Sequence, residues 1–93
     1  MPELTAILAH NPDCIIREIG DGLVIMAPRD TSTHSLEDLG AFIWRQFDGN
    51  RDLAAILGAI LAEYDVTEEQ ARADLQKFCD ELLEAELIQN AGS

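Results

Sequence analysis

The amino-acid sequence predicts an α+β fold, a three-stranded antiparallel sheet followed by three helices. Three observations predict it. Two β-branched runs flank Gly20-Asp21-Gly22, the pattern of a hairpin. From Leu36 onward, apolar residues recur at intervals of three and four, the helical period. With 93 residues, 47% of them hydrophobic, the chain is read as a single unit over 1–93. Its folded part is placed at residues 11–88, with 1–10 and 89–93 as flanks, of which 89–93 is expected to fray.

The strands come first. Residues Cys14–Ile19 and Leu23–Ala27 are the two hairpin strands, because Asp-Gly accepts the positive φ of a tight turn. Pro28 ends the second strand, since proline cannot donate to a ladder. Ser32–Leu36 is polar but β-tolerant and is assigned as a third strand. A lone hairpin is marginal in water, so this sheet must pack on the helices.

The first helix is expected over Glu37–Phe47, with Leu36, Leu39, Gly40, Ile43 and Phe47 as its stripe. Phe42 and Trp44 flank that stripe. Asp48-Gly49-Asn50 stops the helix, with Gly49 as a left-handed cap. The second helix spans Leu53–Tyr64 behind Asp52 as N-cap. The third starts at Thr67, where Thr67-Glu68-Glu69-Gln70 reads as a capping box. Ala71, Leu75, Phe78 and Leu82 form its stripe, and it ends near Ala85. Leu87-Ile88 is an apolar tail expected to fold back onto the core. This order of elements suggests a small winged-helix-like domain.

Charge restricts the partners. Eighteen acids against six bases give −12, and nine of the acids lie in residues 63–93. Nucleic-acid binding needs Lys and Arg to displace counterions, so no nucleic acid is expected. Anionic membranes are disfavoured by the same sign. No apolar run reaches the roughly 18 residues of a membrane span. Met1-Pro2-Glu3-Leu4 does not open a secretory signal. The chain is therefore read as cytoplasmic.

Few residues suggest chemistry. His10, His34, Cys14 and Cys79 are isolated, so no metal site is expected, and the cysteines are read as small buried hydrophobes. Asp48, Asn50 and Asp52 imitate a calcium loop, but Leu53 and Ala59 stand where it needs Gly and Glu. No phosphate-binding glycine motif is present. Catalytic residues, metal and cofactor are all read as none.

A binding surface is the stronger candidate. Thr31, Ser32, Thr33, His34 and Ser35 carry no proline and no fixed charge to protect the sheet edge. Such an edge accepts an extended peptide as an added strand. Arg72, Gln76, Cys79 and Leu83 recur at four, three and four on the third helix and are the candidate face beside it. An open edge also favours self-pairing, so a homodimer is a second outcome.

A family resemblance covers residues 11–88. It rests on Asn11-Pro12-Asp13, the Gly20-Asp21-Gly22 hairpin, Leu36, Gly40-Ala41-Phe42-Ile43-Trp44, Asp48-Gly49 and the closing Phe78, Leu82 and Leu87-Ile88. In these residues the chain resembles the PqqD-like proteins, named for a pyrroloquinoline quinone biosynthesis protein. The resemblance implies a winged helix-turn-helix fold and a non-catalytic task. Such domains bind the leader segment of a ribosomally made precursor peptide and present it to a modifying enzyme, often a radical SAM protein. The leader is implied to lie beside Thr31–Ser35 and against the third helix at Arg72, Gln76, Cys79 and Leu83. The chain departs from the family pattern at Thr31, Glu37 and Glu86.

Three other readings stand beside this one. Ser35-Leu36 imitates the attachment point of an acyl carrier protein. A winged helix also suits DNA, although the charge opposes it. A protein-interaction or homodimerisation module needs no leader peptide at all.

Overall fold

The computed structural model describes residues 3–28 and 32–91. It contains six strands and three helices among those residues. The strands are β1 (Ile7–His10), β2 (Ile15–Ile19), β3 (Gly22–Met26), β4 (Thr33–Leu36), β5 (Asp48–Asp52) and β6 (Ile88–Asn90). The helices are α1 (Asp38–Gln46), α2 (Leu53–Glu63) and α3 (Glu68–Glu84). No helix among the described residues is long and apolar enough to cross a membrane.

The expected sheet is present as β2-β3-β4, antiparallel throughout. Its hairpin turns differently from the sequence expectation. The positive φ falls on Gly20 (+61°), and Gly22 already belongs to β3. Glycine at the first central position is what a type II′ turn requires, and that turn matches the strands' twist. Alternation places Leu23 (3% exposed) and Ile25 (0%) on the core side.

A second sheet, β5-β1-β6, lies outside the sequence expectation. Residues 1–10 were assigned to a flank, yet Ile7–His10 form its central strand and Leu8 is fully buried. Residues 89–93 were expected to fray, yet Gln89 and Asn90 pair with Ala9 and Leu8. The pattern reads Asp48-Gly49-Asn50 as a helix stop and Asp52 as an N-cap, yet Asp48–Asp52 also form a strand. Gly49 does take a positive φ (+81°), but Phe47 is the C-cap and Gly49 sits inside β5. The Asp48 side chain accepts from the Asn50 and Arg51 N–H groups, which turns the chain into α2. Those two bonds hold the Asp48 carboxyl below its ordinary value.

Two helix starts follow their caps. Asp52 accepts from the Ala55 N–H at 2.9 Å, and Thr67 from the Gln70 N–H at 3.1 Å. The capping box is only half made, because the Gln70 side chain bonds Asp74 instead. Helix α1 starts without a side-chain cap at Glu37, and Asp38 adopts φ +48°.

The core joins all these layers. Trp44, Phe47, Ile43, Ile56, Ile60, Leu75 and Leu87 are each at most 2% exposed. Trp44 was placed at the flank of the α1 stripe, but it lies in the core. Its ring stacks on His10 at 3.9 Å, so β1 supplies the cover that the sequence pattern lacked.

Candidate functional site: the outer edge of β4

Register decides which way the β4 backbone points. The Ala27 N–H donates to the Ser32 carbonyl at 2.8 Å, so this opposed pair is hydrogen-bonded. Opposed antiparallel pairs alternate between bonded and non-bonded. Ile25↔His34 and Leu23↔Leu36 are therefore bonded pairs, and Met26↔Thr33 and Val24↔Ser35 are not. Thr33 and Ser35 consequently turn their N–H and C=O groups away from β3. Among the described residues, β4 is an edge of its sheet. Two donors and two acceptors thus line that edge at the spacing an added strand needs.

The side chains sort by the same alternation. Thr33 and Ser35 are exposed, while His34 and Leu36 are half-buried toward the core face. The Ser32 hydroxyl lies 3.3 Å from His34 Nε2. Ser32 precedes the strand and spends its carbonyl on Ala27. Thr31 lies outside the described residues. Ser35 stands within a strand, not at a helix start, so the geometry of a carrier-protein attachment point is missing.

The four α3 residues share one helix face but differ in burial. Arg72 and Gln76 line a cavity of about 640 Å³ along the outward face of α3, together with Glu69, Ala73, Lys77, Asp80, Glu81 and Glu84. The Gln76 Oε1 atom is buried there without a hydrogen-bond partner. Leu83 is half-buried against the core. Cys79, which its spacing assigns to the binding face, is 0% exposed inside the core, as the small buried hydrophobe its residue type suggests. Four residues before Leu83 and four after Leu75, it falls where the stripe crosses into the apolar layer. Burial pushes its thiol up from 9.0 to about 12, with Asp80 adding to the shift. Cys14 is partly covered and is also raised, mainly by desolvation.

A different flank of α3 shares a neighbour, Gly40, with the end of β4. A Cβ at Gly40 would sit 3.7 Å from both Leu36 Cδ2 and Phe78 Cε1, so strand end, α1 and α3 converge at this glycine. Phe78 also stacks near Phe47 at 6.5 Å. At 3.6 residues per turn, Gln76 points about 160° around the helix from Phe78, whereas Asp74 and Glu81 lie within about 60° of it. The sequence reading passed over this acidic flank in favour of the mixed one. The available signal was Gly40, a small residue on the α1 stripe that leaves room for Phe78.

The chain matches the family described as "Coenzyme PQQ synthesis protein D (PqqD)" over residues 22–88. No curated protein matches it. Two solved structures are similar. One, "TbiB1 in Complex with the TbiA(beta) Leader Peptide", is 25% identical with a TM-score of 0.80, covering 87% of this chain and 94% of that one. Another, "Lasso peptide synthetase B1 complexed with the leader peptide", is 20% identical with a TM-score of 0.80, covering 90% and 99%. This second likeness shows the fold.

Proposed function

The chain belongs to the coenzyme PQQ synthesis protein D family, and from that premise we propose that it binds the leader segment of a ribosomally made precursor peptide and presents the peptide to a modifying enzyme. The protein contributes binding and no catalytic group. The leader pairs with the outer edge of β4 through the Thr33 and Ser35 backbones. Its side chains rest on the α3 flank of Asp74, Phe78 and Glu81. That flank is acidic around an aromatic centre, so the leader it suits is apolar with basic residues. A radical SAM protein is the modifying enzyme implied by the family resemblance. The cytoplasm is the compartment where such a peptide is made.

One observation carries this reading. Thr33 and Ser35 point four unused backbone groups outward along an uncharged edge. Natural sheets normally protect such an edge with charge, proline or cover. The similar TbiB1 structure holds a leader peptide.

The test is capture from the host's own extract with two baits, the natural chain and Thr33→Pro. The bound peptides are identified by mass spectrometry. A short peptide recovered with the natural chain and lost with a folded Thr33→Pro is the expected result. A peptide held equally by both baits overturns the proposal.

A further inference from the structure

The opposite edge of the same sheet has its own unpartnered groups. Ile15, Ile16 and Ile19 are 57%, 40% and 64% exposed, and all three lie on β2. Every residue of that strand is exposed. Scattered exposed apolar residues are ordinary, but three on one edge strand are not. The alternation that settled β4 settles β2 as well. Ile15↔Met26, Arg17↔Val24 and Ile19↔Gly22 are the bonded pairs, so Ile16 and Glu18 turn their N–H and C=O groups outward.

A pocket lies beside this edge. Its volume is about 330 Å³, and His10, Ile16, Glu18, Leu23, Trp44 and Arg45 line it. The His10–Trp44 stack forms one wall. Arg45 donates to Glu18 at 2.9 Å across an exposed ion pair. On the other face of the sheet, Arg17 stands between Ile15 and Ile19 and makes no ion pair among the described residues.

We propose that the β2 edge is a second strand-addition surface, built for an extended segment of another protein that carries an acidic residue between two apolar ones. The acidic residue lies opposite Arg17, and the apolar residues lie opposite Ile15 and Ile19, since opposed residues share a face. On the inner face, one apolar or aromatic side chain enters the His10–Trp44 pocket. Ile16 and Glu18 supply the main-chain hydrogen bonds.

Charge argues against a second copy in this place. Two-fold pairing centred on Arg17 sets that cation against its own copy. Centring on Glu18 opposes two carboxylates. Centring on Ile16 leaves two symmetry-related bonded pairs incomplete, because the Cys14 N–H of each copy is already donated to the Asn11 carbonyl. Each copy also carries −12.

The test is selection of a displayed library of random short peptides on the full-length natural chain, Ile16→Pro, Arg17→Glu and Thr33→Pro. One enriched peptide class is expected to bind Ile16→Pro about tenfold more weakly, the loss of one main-chain hydrogen bond and its neighbour. The same class keeps its affinity for Thr33→Pro. On Arg17→Glu, its central acidic residue is replaced by Lys or Arg. Arg17 is exposed, so that variant decides the question even if Ile16→Pro does not fold. A class indifferent to Arg17→Glu, or no class beyond those lost with Thr33→Pro, overturns the proposal. A natural chain that sediments as a dimer, with Arg17→Glu changing its association, gives the edge to a second copy and overturns it too.

Discussion

The Leu87 N–H donates to the Leu82 carbonyl at 2.9 Å, and between them the Glu86 N–H donates to Leu83 at 3.1 Å. This pair of bonds is the Schellman closure of α3, and the two buried leucines supply its apolar contact. The motif needs a left-handed residue, and Glu86 takes φ +63°. A side chain in that region costs about 1–2 kcal/mol relative to the right-handed form. Glu86→Gly is therefore expected to stabilise the fold by about 1 kcal/mol, less the extra chain entropy of glycine. Urea denaturation checks it as a higher midpoint with an unchanged slope. An unchanged or lower midpoint contradicts it.

The helix starts give a contrast within one molecule. Asp52→Ala and Thr67→Ala each remove a cap bond and are expected to cost about 1 kcal/mol. Glu37→Ala removes no cap bond and is expected to change stability by less than about 0.5 kcal/mol. Thermal unfolding of the three variants measures this ordering directly.

Much of this fold was legible because strong local patterns coincide with tertiary packing. The hairpin, the third strand, α2 with its Asp52 cap and α3 with its Thr67 cap follow the sequence pattern closely. What escaped was the second sheet. Its strands are short and read Ile-Leu-Ala-His, Asp-Gly-Asn-Arg-Asp and Ile-Gln-Asn, with no alternation to mark them. They exist because distant segments meet, as when Ala9 pairs with both Asp48 and Gln89. The β4 edge was legible from missing charge and proline. Which flank of α3 lies toward β4 was not, since spacing along one helix cannot say which neighbour stands on which side. Cys79 shows the same limit, as it reads equally well at the border or inside.

The two thiols should separate in reactivity. Cys79 is fully buried with its thiol pushed up to about 12. Cys14 is partly exposed and less protected. Thiolate is the reactive form, so iodoacetamide near pH 8 is expected to label Cys14 first and Cys79 only on unfolding. The pH dependence has a definite sign. The folded value exceeds the unfolded one, so the contribution of Cys79 is complete below about 9 and is lost as pH rises toward about 12. Cys79→Ala is expected to flatten that alkaline fall in stability, as followed by urea midpoints from neutral to alkaline pH.

The α3 flank has a charge prediction. If Asp74 faces the leader, Asp74→Lys should weaken a basic leader up to about fivefold, from one exposed pair of up to about 1 kcal/mol. The natural chain's affinity should fall with added salt more steeply than the variant's. Arg72→Ala, about 120° around the helix from Phe78, should leave affinity unchanged. Calorimetry with the captured peptide at two salt concentrations reads all three. A larger loss from Arg72→Ala would move the leader to the cavity shared by Arg72 and Gln76.

The most specific prediction concerns neighbouring residues on β4. In the bonded pair with Ile25, the His34 N–H supports the sheet itself, whereas the Thr33 N–H faces outward. Proline removes the donor at either position. His34→Pro breaks a ladder bond and leaves the Ile25 carbonyl unpaired, at a cost of about 1–3 kcal/mol. Thr33→Pro removes only an outward donor on an edge strand, where proline is tolerated. It is expected to keep the natural stability within about 0.5 kcal/mol while losing the peptide. One variant thus loses fold and binding together, and the other loses binding alone. Urea melts paired with peptide calorimetry separate them. If Thr33→Pro melts as early as His34→Pro, the assigned alternation along β4 is wrong, and with it the edge on which the peptide is proposed to add.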